Sequence, residues 1–141
     1  MPAVVSRNER SVSGCEDLRP LGHNPPMEIV RFSASDAKRI GARPYEVKLA
    51  SSIELAEGEG EAHAYVVYFE PGGVIGPHEA GFGQILLALA GSGWVAGADN
   101  HRLPLAEGEA AFIHRGEVHS KGSDSGMTAF MVQVRDLTPV Q

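Results

Sequence analysis

Cysteine, positive charge and long apolar runs are all scarce in this chain, and each shortage removes a class of function. One cysteine, Cys15, stands in 141 residues. A single thiol excludes an intramolecular disulfide framework and fits a reducing compartment or indifference to redox. Twelve Lys and Arg face eighteen Asp and Glu, for a net charge of −6 and a pI near 5.4. A phosphate backbone needs a basic face, so no nucleic-acid partner is expected. No apolar run approaches the ~20 residues of a membrane-spanning helix, and no membrane partner is expected. The opening "MPAVVSRNERSVSGCEDLRPLG" lacks the apolar core of a secretory signal. A soluble, cytoplasmic protein is therefore expected.

Several motifs that carry chemistry are missing too. "GSGWVAG" has no Lys-Ser/Thr pair and follows no βα pattern, so it is no phosphate-binding loop. No G-x-S-x-G nucleophile elbow occurs. His78 and Glu79 begin like a zinc-protease HExxH, but Phe82 stands where the second His belongs and the stretch is too glycine-rich for the required helix.

Glycine and proline, by contrast, are plentiful, at seventeen and nine. They punctuate seven short apolar or alternating runs: "EIVRF", "YEVKLA", "AHAYVVYFE", "FGQILLALA", "GWVAG", "AAFIH" and "TAFMVQVR". The breaks are "EGEGE", "PGGVIG", "AGSG", "GADN", "RGE" and "KGSDSG". Roughly ten residues per strand and turn point to an antiparallel sandwich or barrel. The expected fold class is all-β. One short N-terminal helix is expected over "SASDAKRIGA", capped by Ser33 or Ser35 and stopped by Gly41. The first 26 residues are polar, end in a double proline and show no periodicity, so 1–26 are expected to be a flexible tail and 27–141 the domain. The acidic run "ELAEGEGE" is expected to be a solvated loop. Trp94 and Phe112 are expected in the core, and His101 on an exposed hairpin. "QILLALA" and "TAFMVQV" are apolar on both faces, whereas a strand with one wet face alternates. One face is expected to line a closed interior and the other to meet a second sheet or a partner subunit, which makes a homodimer the expected assembly.

Two glycine-framed motifs resemble those of the cupins, a superfamily of small jelly-roll β-barrels. In the first, Gly72 is followed by five residues and His78; Ala80 stands at the second His position, Gln84 at the acid position, and Gly91 closes the motif. In the second, Gly108 is followed by five residues, His114 in place of Pro, Gly116, His119, and Ser123 in place of Asn. The resemblance covers residues from about 62 to 134. It implies a cupin-type jelly-roll β-barrel in which motif-one and motif-two side chains face inward around one divalent ion. Carried over position by position, the implied metal ligands are His78, Gln84 and His119. His78, Ala80 and Gln84 share parity, so an extended segment points them to one face.

The departures from the family pattern have consequences. Two imidazoles suit Zn, Fe, Ni or Cu, while an amide oxygen is a weak, neutral ligand. An ion so held keeps its full positive charge, favours an anionic ligand such as a carboxylate or enolate, and binds less tightly than in a four-ligand site. His114 and His63 are not family ligands, and are candidates for extra ligands, substrate contact or acid/base work. Turn exposure for His78 and simple hydrogen bonding for Gln84 are the alternatives to ligation.

Three functions follow. The first is a small metal-dependent cupin enzyme acting on a small, anionic organic metabolite by dioxygenation, isomerisation or cyclisation. The second is a metal-free or weakly metal-binding cupin that binds a small molecule without catalysis. The third is an interaction module with the barrel as dimer scaffold.

Overall fold

A computed structural model describes residues 27–140 and, by backbone, Val5–Ser6. The expected tail otherwise lies outside the described residues. In chain order the strands are β1 Val5–Ser6, β2 Glu28–Arg31, β3 Lys38–Arg39, β4 Ser51–Ser52, β5 Ala56–Phe69, β6 Gly73–Glu79 and β7 Gly83–Gly91. After these come β8 Gly93–Ala96, β9 Arg102–Leu105, β10 Glu109–Ile113, β11 Val118–Ser123 and β12 Met127–Pro139. A six-stranded sheet runs β1-β2-β10-β7-β12-β5 and a four-stranded sheet runs β6-β11-β8-β9, with β3-β4 as a small ribbon. All described pairings are antiparallel. This is the expected all-β jelly roll. No helix among the described residues is long and apolar enough to cross a membrane.

Alternation along each strand sorts residues between two apolar clusters. Leu86, Ala88, Ala111, Ile113, Ala129 and Met131 of the larger sheet meet Val95, Leu103 and Leu105 of the smaller one, all buried. Each such Leu or Ile contributes ~1.5–3 kcal/mol by leaving water. The opposite face of the larger sheet carries Val30, Ile85, Ala110 and Phe112, on which Phe32, Leu55 and Leu137 pack. Both clusters use β7, β10 and β12, which is why these strands read as apolar on both faces. Phe112 is buried in the outer cluster; Trp94 is buried on the outside of the smaller sheet, with the Arg102 guanidinium 3.8 Å above its ring. On that outer side Gly122 is obligatory, because a Cβ there would lie 2.5 Å from the Gly73 carbonyl oxygen and 2.7 Å from the Trp94 ring. Gly72 and Gly108, which open the two motifs, have φ of +85° and +87° and make the turns that launch β6 and β10.

Three expectations are corrected. The helix is reduced to a 3-10 turn over Ala34–Asp36, followed by extended Ala37 and by β3. Asp36 Oδ2 accepts from Ser33 N at 3.2 Å and Ser33 Oγ at 2.6 Å, closing a cap over a single turn. None of its residues is buried, so no apolar face rewards a longer helix. "YEVKLA" forms no strand and lies mostly exposed, with Leu49 in a left-handed conformation at φ 57°. The acidic run is no loop: from Ala56 onward it is the start of β5, paired with the end of β12, as in Glu59 opposite Asp136 and Gly58 opposite Leu137.

Candidate functional site

β11 and β6 bring the two motifs together. His119 lies directly opposite His78, and their ring centroids are 4.5 Å apart. A register shift between His119 and Lys121 then sets Lys121 opposite Ile75 and Val95, whose neighbours form the inner core. β11 therefore sends His119 and Lys121 into the space between the sheets. β7, on the facing sheet, sends in Gln84. His119, Lys121 and Gln84 are all buried, at 0%, 2% and 2% exposure.

The Lys121 ammonium is the centre of this group. Its Nζ donates to His119 Nε2 at 2.8 Å and to Gln84 Oε1 at 3.2 Å. As an acceptor, His119 Nε2 carries no proton, and its Nδ1–H faces the Glu117 carbonyl at a long 3.5 Å. His78 is exposed at the surface beside His119, and its Nδ1–H donates to the Gly76 carbonyl at 2.9 Å. That bond leaves His78 Nε2 as a lone-pair acceptor.

Burial pushes Lys121 down from 10.5 to about 8. Burial first, then the charge of Lys121 and then His78, pushes His119 down to about 4. Among the described residues no carboxylate forms an ion pair with Lys121. An isolated buried cation is costly, and its third N–H has no partner among the described residues.

His63 belongs to the rim of the same face. His63, Gln133 and Gln84 are directly opposed across β5, β12 and β7, so they form one inward row. At ~4.8 Å per strand, His63 stands about 10 Å from Gln84. Along the row burial increases, from exposed His63 through half-buried Gln133 to buried Gln84. His63 Nε2 is 2.7 Å from Glu61 Oε2, a contact that holds the Glu61 carboxyl below its ordinary range, with Arg135 3.3 Å away on the other oxygen.

His114 is not brought to this group. It shares parity with Phe112 on the outer face, its ring 4.8 Å from that of Phe112 and its Nε2 3.5 Å from Glu28 Oε2. The acid/base role expected for it at the barrel site therefore has no geometry behind it. Lys121, conversely, went unread in the sequence. It falls in "KGSDSG", which looks like a turn, yet its parity with His119 on one strand was the available signal.

Do these residues fit a divalent ion? Metal–imidazole bonds of ~2.0–2.1 Å would put the ion along the His119 Nε2 lone pair. Lys121 Nζ lies on that lone pair at 2.8 Å and also on Gln84 Oε1. Like charges in a buried site repel, and the set supplies no carboxylate to offset them. Among the described residues no cluster of three His, Cys, Asp or Glu is placed to hold a metal. His78, His119 and Gln84 thus do not fit a divalent ion while the ammonium stands between His119 and Gln84.

Residues 70–136 match the family model described as the AraC-like ligand-binding domain. In fold the chain is similar to a cupin-like protein of Thermotoga maritima, with a TM-score of 0.51 and 19% identity over 70% of this chain and 89% of that one. It is similar to a cupin superfamily protein of Desulfitobacterium hafniense, at 0.50 and 12% over 71% and 98%. A conserved protein of unknown function from Streptococcus pyogenes also shares the fold, at 0.50 and 19% over 57% and 73%. No curated protein matches the sequence.

Proposed function

We propose that the chain is a small-molecule-binding domain of the cupin superfamily, a reading supported by the family-model match over residues 70–136 and by the shared fold, and that its barrel binds a small organic anion without a metal. Lys121 supplies the positive charge that an ion supplies in metal-bearing cupins. The observation that carries this reading is a buried ammonium with two neutral partners and, among the described residues, no carboxylate in contact with it. A carboxylate ligand would complete its hydrogen bonds and neutralise its charge, gaining a charge-assisted bond in a low-dielectric site. The row His63, Gln133, Gln84 offers polar contacts leading inward from the rim across an otherwise apolar face. The proposed assembly is a homodimer. The outer face of the larger sheet supports it, with a groove of about 400 Å³ lined by Ile85, Leu87, Phe130, Val132 and Val134.

The metal-dependent reading, with Zn, Fe, Ni or Cu on His78, His119 and Gln84, requires Lys121 to vacate its place, so the metal-free reading is preferred. The test is elemental analysis of untagged protein together with thermal shift against small carboxylates in chelator. Substoichiometric metal and carboxylate-dependent stabilisation that disappears in Lys121→Met support the proposal. Stoichiometric metal that is lost in His119→Ala overturns it.

A further inference from the structure

A separate pocket of about 390 Å³ lies on the side of the smaller sheet that faces away from the barrel, with Trp94, Ala96, Asn100, Arg102 and Ser120 in its lining. Strand register explains its shape. Ser120 of β11, Ala96 of β8 and Arg102 of β9 stand in one row, and Gly122, Trp94 and Pro104 stand in the next. Lys121 and Val95, paired between those rows, point the other way into the barrel. Ala96 is small and forms the floor, with Ser120 and Arg102 on either side of it at about 4.8 Å per strand.

The polar side chains of this lining all carry donors: the Arg102 guanidinium, the Ser120 hydroxyl, the Asn100 amide and the Trp94 indole N–H. The lining holds one cation and no carboxylate. Trp94 is 7% exposed, and its Nε1–H has no hydrogen-bond partner among the described residues. The ring edge that bears this N–H lies over β11, the strand of Ser120, since a Cβ on Gly122 would stand 3.0 Å from Cε2. A buried donor without an acceptor is costly, and a ligand oxygen would satisfy it. Arg102 covers the ring with its Cζ 3.8 Å above it. Its carboxylate neighbour, Asp124 at 3.6 Å, is 84% exposed, so that ion pair is weak and open to exchange.

From this arrangement we propose that the pocket is a second anion site, built for a phosphate group, free or esterified to a small metabolite. A tetrahedral oxyanion presents oxygens in several directions and meets Ser120, Arg102 and Trp94 together from above Ala96. A carboxylate presents both oxygens to one side and satisfies the Arg102 fork alone. Stacking on the indole leaves the N–H edge of that fork free to exchange Asp124 for the ligand. Val74 and Pro77 of β6 add an apolar wall for the body of an ester.

Trp94 is the only tryptophan in the chain, so its emission reports on this pocket. Full-length protein is titrated with sodium phosphate, and separately with phenyl phosphate, at constant ionic strength made up with chloride. Emission and calorimetry are followed together, and a dissociation constant on the order of 1 mM is expected. Tighter binding of phenyl phosphate supports an ester as the ligand; equal binding supports free phosphate. Arg102→Gln should weaken binding at least about tenfold, and Ser120→Ala about threefold. Asp124→Asn, which removes the competing carboxylate from an exposed position, should tighten it about two- to fivefold. Lys121→Met, on the other face of the sheet, should leave it unchanged. Calorimetry that detects no phosphate binding overturns the proposal, as does unchanged affinity in both Arg102→Gln and Asp124→Asn. Binding that survives Arg102→Gln and is lost in Lys121→Met also overturns it, and places the anion in the barrel instead.

Discussion

Replacing Lys121 by Met should make the protein more stable, and the size of the gain follows from the site. Holding a charged amine where it titrates near 8 rather than 10.5 costs the fold about 3 kcal/mol at pH 7, at about 1.4 kcal/mol per tenfold change in the proton equilibrium. Met fills a similar volume with no charge to desolvate. Against this gain stand the hydrogen bonds from Nζ to His119 and Gln84, each worth about 1 kcal/mol. Part of that loss is recovered when the Gln84 amide turns and its NH2 donates to His119 Nε2. The net expectation is stabilisation by about 1–2 kcal/mol at pH 7. The sign of the pH dependence is fixed: with the folded value below the unfolded one, wild-type stability rises as pH climbs from about 8 to 10.5. The advantage of Lys121→Met should therefore shrink by about 2.5 kcal/mol between pH 7 and pH 10. Urea unfolding of both proteins at the two pH values measures each quantity. A variant less stable than wild type at pH 7, or a gap that does not change with pH, refutes the picture of an uncompensated buried cation. A stabilised variant that no longer responds to carboxylates would mean that the lysine is kept for binding at the expense of stability.

Three further outcomes test other parts of the structure. Gln84→Glu places a carboxylate on the ammonium; thermal shift should show a higher melting temperature and about tenfold or greater loss of affinity for small carboxylates, and unchanged affinity would remove Gln84 from the site. Glu117 accepts from Met27 N at 2.8 Å and His114 N at 3.0 Å, and burial pushes its carboxyl up to about 7, so its contribution is complete below about 4.5 and lost as pH rises through about 7. Wild-type stability measured relative to Glu117→Gln should accordingly fall between those pH values by on the order of 1–2 kcal/mol, reduced by the partial exposure of the group; a rise would contradict the assignment. Phe130→Asp on the outer face should convert a dimer to monomer by light scattering, and a monomeric wild type at micromolar concentration would remove the proposed interface.

What could be read in the sequence followed from where apolar residues fall. β5, β7, β8, β10 and β12 carry apolar side chains on at least one face, and glycine turns separate them, so all five were legible. β6 and β11 were not. The inward positions of β11 are the polar His119, Lys121 and Ser123, the first two bonded to each other and the third tying the turn at Ser92 and Gly126, and so the strand that bears the site lacks the apolar alternation by which strands are recognised. β6 is interrupted by Gly76 and Pro77 at the register shift and reads as a turn. The motif frames single out His78, which lies against His119, and Gln84, which shares the Lys121 ammonium with His119, but they attach no meaning to the residue two places beyond His119. His114 was overread for the opposite reason: it occupies a motif position, yet strand parity puts its ring on the far side of the larger sheet. The helix expectation failed because capping residues alone specify a turn, and only a buried face extends it.

The acidic opening of β5 bears on how this molecule behaves in concentrated solution. Among the described residues β5 ends the six-stranded sheet, and its fourteen residues have no strand beside them on that outer edge. Such an edge can template another chain. Glu57, Glu59 and Glu61 occupy alternate positions along it, so a second β5 laid alongside would bring carboxylates into register with carboxylates. That repulsion disfavours ribbon-like growth along the rim and leaves the apolar face as the surface for the proposed dimer. Acidification that protonates these side chains disarms the guard, and low pH is where fibrous or gel-like precipitation of an otherwise intact barrel should begin.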